Sequence, residues 1–288
     1  MDKQEANLSD IYKAVMTMED FRRLSSFIYK EYGIKMPEIK KTMLQSRLHK
    51  RLRELNMTNY KQYVEYVFSK EGQQTEIIQM MDMVSTNKTD FFREPVHFEY
   101  LHSTVLPELL FNNRNRYLKM WSAGCSSGEE PYTIAMSLNE FLIQNQANPF
   151  DYSILATDIS TRMLKSAVEG IYKEERIETL PLNLKKRYLL RSKDRNSPTI
   201  RIIPDLRRKV TFQRLNFMDS SYNVPDNFDI IFCRNVLIYF DRDTQERVIN
   251  RLATKLKTGG YFFLGHSESI TNFDVPLIQL RPTIFRRR

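Results

Sequence analysis

The 288-residue chain has two cysteines, Cys125 and Cys233, and four histidines, and neither type is clustered. Two separated thiols do not make a disulfide framework, and the scatter of histidines predicts no metal site. No apolar run approaches the roughly 20 residues of a membrane span. The opening stretch MDKQEANLSD is polar and acid-containing, unlike a secretory leader. These absences together give a cytoplasmic protein as the expectation. Internal repeats and low-complexity tracts are missing as well. What is present is the balance of a folded globular protein, 41% hydrophobic and 27% charged. The length suits one α/β domain with a smaller companion.

Charge is unevenly spread. Residues 35–56 carry a net +5 and residues 185–214 a net +9, so a total of +9 leaves the remainder at −5. Two basic stretches predict a polyanionic partner, such as nucleic acid, a membrane surface or an acidic protein; solvated helix faces and loops are the bland alternative.

Up to about residue 85 the pattern is helical. Phe21, Leu24, Phe27 and Ile28 recur at helix spacing before Gly33, and Leu44, Leu48, Leu52 and Leu55 form a second stripe. Arg47, Lys50 and Arg51 flank that stripe, with their charges expected to turn to solvent. From Tyr117 strands alternate with helices: strands at 117–121, 152–156, 210–215, 228–233 and 260–264, helices at 132–143, 161–168 and 244–256. Such alternation implies a largely parallel sheet covered on both faces. Residues 277–280 and 283–287 suit a closing antiparallel hairpin. Between Gly170 and Lys209 about forty residues interrupt the alternation, with a helical pattern at 180–190 and a strand-like 199–203.

Four strand ends carry polar residues. After the first strand comes WSAGCSSGEEP, where Gly124 and Gly128 let backbone approach a ligand and Pro131 suits a first helical turn. The spacing is not G-x-G-x-x-G. Glu129 and Glu130 open the helix, which disfavours a pyrophosphate and suits an amine or sulfonium; helix-capping acids are the alternative. Asp158 ends the second strand, placed for ribose hydroxyls, although Asp158 or Ser160 serves equally as an N-cap. Asn216 and Asn235 follow two further strands, so the four ends form a candidate nucleoside site. Tyr239, after an apolar run, reads as readily as a core aromatic. The segment 85–94, STNKTDFFRE, has the hydrogen-bonding groups of a site lid in Asn87, Thr89 and Arg93.

In order, TNKTDFFRE, SAGCSSGEEPY, ATDIS, CRNVLIYF and GHSES resemble the CheR-type chemotaxis receptor glutamate O-methyltransferases, over nearly the whole chain. The resemblance implies a class I, Rossmann-like α/β fold that uses S-adenosylmethionine. It implies an N-terminal all-helical receptor-recognition domain at 1–84, a linker at 85–116 contributing to the active site, and a methyltransferase domain at 117–288. A small β-containing insertion is implied at about 171–209. The implied reaction methylates glutamate side chains of chemoreceptors and leaves S-adenosylhomocysteine. Cofactor contacts carried over are Asn87, Thr89, Arg93, Gly124, Glu129 or Glu130, Asp158, Asn216, Phe217, Asn235 and Val236. Arg93 and Tyr239 are the candidates to hold the incoming carboxylate. Arg47, Lys50 and Arg51 would dock on the receptor's cytoplasmic helical bundle. In some members the insertion binds a peptide at the receptor's C-terminus; here the turn 192–198 lacks glycine, which leaves that function open. A monomer is expected, with no nucleic-acid partner and no membrane insertion. His266 and Glu268 match the last string without a role.

Two rivals remain. A nucleic-acid methyltransferase fits the basicity, but the fourth strand should then end in a motif such as Asn-Pro-Pro-Tyr, where this chain has Arg-Asn-Val-Leu-Ile-Tyr. A non-catalytic cofactor-binding relative is the second. A Cys/His hydrolase has no support, since neither cysteine has a histidine nearby in sequence.

Overall fold

The computed structural model describes residues 11, 13–112, 116–146, 149–194 and 196–288. The chain divides into two compact units, one of residues up to Thr86 with Tyr239–Asp241, the other of Asn87–Ile238 with Arg242–Arg288.

The first unit is helical. Helix α1 (Met18–Tyr32) starts in a capping box, where the Thr17 side chain accepts from the Asp20 N–H and Asp20 bonds back, and it stops at Gly33 with φ +70°. Helix α2 (Lys41–Glu54) buries Leu44, Leu48 and Leu52 completely. Burial of each such leucine contributes roughly 1.5–3 kcal/mol. Helices α3 (Tyr60–Phe68) and α4 (Lys70–Val84) complete the bundle, each capped by a side chain, Asn59 and Ser69.

The second unit opens with a helical segment, α5, running through Val96–Tyr100, a π turn at Leu101–Val105, and Leu106–Asn112. Phe98, Leu101, Val105, Leu106 and Leu110 place it in the core of the α/β unit. Seven strands follow in one sheet: β1 (Tyr117–Ala123), β2 (Asp151–Asp158), β6 (Val210–Arg214), β7 (Phe228–Cys233), β8 (Leu256–Leu264), β9 (Leu277–Arg281) and β10 (Ile284–Arg287). Their order is β6-β2-β1-β7-β8-β10-β9. The first five are mutually parallel, and β10 runs antiparallel to both neighbours, so the closing hairpin forms. Every residue of β7, FDIIFC, is buried, as a central strand covered on both faces requires. Helices α6 (Glu129–Gln144), α7 (Thr161–Glu169) and α10 (Arg242–Lys255) are the crossovers. Because β1 leads outward to β2 and β6 while β7 leads to β8, the strand order reverses between β1 and β7. Ligands on open α/β sheets bind at the carboxyl ends beside such a reversal.

The interruption holds its own sheet, β3 (Ile171–Lys173), β4 (Leu189–Arg191) and β5 (Thr199–Ile202), antiparallel in the order β3-β5-β4. The helix expected at 180–190 is shorter, α8 (Leu182–Tyr188), because Leu189–Arg191 pairs with β5 instead. Cross-strand pairing overrides a helix-compatible run of leucines. A short helix α9 (Pro204–Arg208) returns the chain to β6. The basic stretch here is partly neutralised. Arg187, Arg191, Arg208 and Lys209 pair with Glu140, Glu174, Asp205 and Asp151.

Candidate functional site

The turn from β1 into α6 is held by backbone. Gly124 and Cys125 donate to the Thr157 carbonyl at 2.8 and 2.9 Å, tying the turn to the end of β2. Gly124 has φ +92°, and a Cβ there would lie 2.3 Å from Val236 Cγ2, so only glycine fits. Asp158 is oriented by two backbone donors, Ser126 N–H to Oδ2 at 2.8 Å and Ser160 N–H to Oδ1 at 2.9 Å. The cap of α7 is Ser160, whose hydroxyl accepts from Met163. Leu215 N–H donates to the Asp158 carbonyl at 3.0 Å, which brings Asn216 and Phe217 to the same end of the sheet.

The two glutamates diverge. Glu129 accepts from Arg176 at 2.6 Å and Ser127 at 2.7 Å, and Arg176 also donates to the Thr89 carbonyl. Glu130 accepts from Ser122 at 2.7 Å and Arg234 at 3.2 Å. Burial raises the Glu130 carboxyl above the ordinary range despite the Arg234 charge. Glu129 is thus joined to the Thr89 end of the 87–94 segment, near which Ser126 Oγ donates to the Asn87 carbonyl at 3.0 Å, and Glu130 to its Arg93–Glu94 end through Arg234.

The loop after β7 is held differently. Glu268 accepts four backbone N–H groups, Asn235 and Gly265 at 2.9 and 2.7 Å on one oxygen, Val236 and Leu237 at 2.8 and 2.7 Å on the other. That explains the left-handed Asn235, φ +60°. Burial nonetheless raises the Glu268 carboxyl, against those four bonds. Arg234, buried, clamps three partners: Glu94 Oε2 at 3.0 Å, Glu130, and the Arg93 carbonyl at 2.5 Å. Phe92 and Glu94, either side of Arg93, both have positive φ, 52° and 57°, so the segment is strained and braced here. Burial would lift the Glu94 carboxyl, but Arg234 and donors from His266 and Asn235 hold it below the usual range. The Arg93 guanidinium donates to the Lys88 carbonyl at 3.0 Å.

Thus Asn87, Thr89, Arg93, Gly124, Glu129, Glu130, Asp158, Asn216, Phe217, Asn235 and Val236 all fall in the α/β unit around the carboxyl ends of β1, β2, β6 and β7. Tyr239 belongs to the helical unit, where its carbonyl accepts from the Lys35 N–H at 2.9 Å. The basic face of α2 departs from expectation. Arg51 is turned inward, bonded to buried Glu76 at 2.8 and 2.5 Å, because the Glu76 carboxylate, which also accepts from Tyr63, needs a counter-charge. Arg47 is spent on the carbonyls of Val84 and Ser85 and the Thr86 hydroxyl at the end of α4. Lys50 alone of the three has its side chain half exposed, beside Glu54 at 3.7 Å.

Residues 19–84 match the family model described as "CheR methyltransferase, all-alpha domain", and residues 87–284 match "CheR methyltransferase, SAM binding domain". The chain belongs to the CheR methyltransferase family. Among relatives, the chemotaxis protein methyltransferase of Borreliella burgdorferi is 42% identical over 258 residues, covering 88% of this chain and 89% of its own. Chemotaxis protein methyltransferase 2 of Pseudomonas aeruginosa is 38% identical over 89% of this chain and 88% of its own. The chemotaxis protein methyltransferase of Escherichia coli K12 is 36% identical over 88% of this chain and 85% of its own. The fold is the class I methyltransferase fold, and S-adenosylmethionine is the cofactor of this CheR-family enzyme. The crevice suits it: a side-chain-free approach at Gly124, an oriented carboxylate at Asp158 for hydroxyls, and acids rather than bases opening α6. Both thiols are fully buried and pushed well up by burial, which leaves no cysteine nucleophile. Among the described residues, no helix is long and apolar enough to cross a membrane.

Arg234, Glu94, Arg176 and the bracing by Glu268 escaped the sequence reading. Three of these sit inside the family strings, yet only the fold shows what each touches. Arg176 lies in the interruption, with no sequence signal at all.

Proposed function

We propose that this CheR-family enzyme esterifies glutamate side chains on the cytoplasmic helical bundle of chemoreceptors, in sensory adaptation. The observation that carries the reading is the convergence of the 87–94 segment on the turn after β1, the inserted segment and the loop after β7, through Ser126–Asn87, Arg176–Thr89 and Arg234–Arg93 respectively. Bound S-adenosylmethionine supplies an activated methyl group on a sulfonium. A glutamate side chain is already ionised near neutrality, so no residue has to remove a proton. Positioning and exclusion of water remain as the work of the protein.

In this reading Asp158 takes the ribose, Asn216 and Phe217 the adenine, and Glu129 the cationic methionine end. Asn87, Thr89, Gly124, Asn235 and Val236 line the remainder, and Glu130 orients Arg234. Arg93 holds the incoming carboxylate by charge-assisted bonds. Docking falls to Lys50 rather than to Arg47 and Arg51, whose charges are engaged. The edges of the β3-β5-β4 sheet offer strand pairing to an extended receptor peptide. The enzyme acts in the cytoplasm as a monomer.

The test is incubation with methyl-labelled S-adenosylmethionine and receptor-enriched membranes. Label on a membrane protein that mild base releases as methanol is the expected result. Base-stable label, or label on added nucleic acid, overturns the reading.

A further inference from the structure

We infer that Glu94, His97 and His266 form a binding site for one borderline divalent cation such as Zn²⁺, at the edge of the crevice and outside the cofactor contacts. The carboxylate and the two imidazoles each present one ligand atom, all within 4.8 Å of one another. The inference starts from a buried nitrogen. Thr283 donates its hydroxyl hydrogen to the Pro282 carbonyl at 2.6 Å, so its oxygen accepts in the 2.8 Å contact with His97 Nε2. The proton of neutral His97 is therefore on Nε2, and Nδ1 carries a lone pair. This Nδ1 is buried, has no hydrogen-bond partner, and stands 3.5 Å from Glu94 Oε2. The residue is only 1% exposed. Glu94 Oε2 accepts from Arg234 at 3.0 Å, but nothing is donated to the buried Nδ1 that faces it, and such an unpaired nitrogen costs free energy unless a cation bridges it to the carboxylate.

The third ligand closes the geometry. His266 Nε2 lies 3.8 Å from the same Glu94 oxygen. Metal–nitrogen and metal–oxygen bonds of about 2.0–2.2 Å put tetrahedral ligands about 3.4 Å apart. The two separations from Glu94 exceed that by a few tenths of an ångström at most, and the His266 side chain, 56% exposed, swings in to close the third, which lies within 4.8 Å. The surroundings are those of a ligating set. His97 is oriented by its Nε2–H bond to Thr283, and Glu94 Oε1 accepts from the His266 N–H at 3.1 Å and from Asn235 Nδ2 at 3.3 Å. Both histidines line a cleft of about 530 Å³ with Val96, Tyr100, Arg281 and Thr283, which gives an entry path and a fourth position open to water. A nitrogen-rich set of this kind favours zinc and its neighbours over magnesium or calcium. Arg234, 3.0 Å from Glu94 Oε2, shares that oxygen and weakens the site. The sequence reading rested on the scatter of histidines along the chain; the fold brings two of the four together from α5 and the loop after β8.

The experiment is calorimetric titration of Zn²⁺ into the full chain without a histidine tag, alongside Co²⁺ absorption, comparing the parent with His266→Ala. That side chain is exposed, so the variant folds, whereas buried His97 is a poorer choice. One equivalent bound, a visible Co²⁺ band of low-symmetry nitrogen–oxygen coordination, and at least a tenfold weaker affinity in His266→Ala are expected. Zinc should raise the melting temperature of the parent and not of the variant. Equal affinities in the two proteins, or no binding up to millimolar metal, overturn the assignment.

Discussion

The loops that follow β1 and β7 lie at the carboxyl ends of adjacent strands, yet they reach their shapes by opposite means. The first takes its shape from its own residues: its glycines adopt positive φ and its sequence announces a tight, ligand-admitting turn, while its N–H groups dock on the main-chain carbonyl of Thr157 at the end of β2. The second is held by one side chain, the Glu268 carboxylate. Asn235 takes a left-handed conformation that asparagine tolerates, but four N–H groups converge on Glu268, in the loop after the next strand. A turn encoded by its own residues is visible in a sequence; one encoded by a distant acceptor is visible only in the fold.

The sharpest way to break that comparison is where the loops touch. Gly124→Ala places a methyl 2.3 Å from Val236 Cγ2 at a φ of +92°. Cofactor affinity should fall about 100-fold, near 3 kcal/mol. Adding Val236→Ala should recover part of it, because the steric share is relieved while the backbone strain stays. Parent-like binding of Gly124→Ala in a cofactor titration would mean that the two loops do not compete for one space.

Next in size is the distant brace. Glu268→Gln keeps the shape but turns an NH₂ group toward backbone donors. About 2 kcal/mol of stability should be lost, as for a hydrogen-bonded charged acceptor. Cofactor affinity and turnover should both fall, since the released Asn235–Leu237 loop carries two of the proposed cofactor contacts. An unchanged melting curve and kcat would show that water replaces the carboxylate and that the loop holds itself.

The same distinction accounts for what was legible. The strand–helix alternation, the closing hairpin and the helix stripes followed from periodicity, because each element buries one face against its neighbours. The helical pattern runs through Leu190, whereas Leu189–Arg191 is a strand, because its pairing with β5 is non-local. Asp158 and Gly124 could be singled out by position at strand ends. Arg234 could not, since an arginine after a buried strand has no local reason to be 6% exposed; its reasons are Glu94 and Glu130, more than a hundred residues earlier. Arg51 fails the same way. Helical spacing put it at the edge of the apolar stripe, and only Glu76 on α4 explains why it turns inward.

The smallest effect is expected at the end of β2, which joins the two kinds of support. Ser160 caps α7 locally, while Asp158, two residues before, receives N–H groups from its own loop and from the turn after β1. Sequence reading left the cap between these two side chains. The structure gives it to Ser160 and leaves Asp158 facing the turn. Ser160→Ala should therefore cost about 1 kcal/mol of stability, the usual loss for a hydroxyl N-cap. Cofactor affinity should stay within about twofold, because the Ser160 N–H that orients Asp158 is backbone and survives the change. Thermal denaturation and cofactor titration of the one variant separate the two roles. If affinity falls with stability, the α7 cap shapes the ribose position, and the division between a helix-capping serine and a ligand-facing aspartate does not hold.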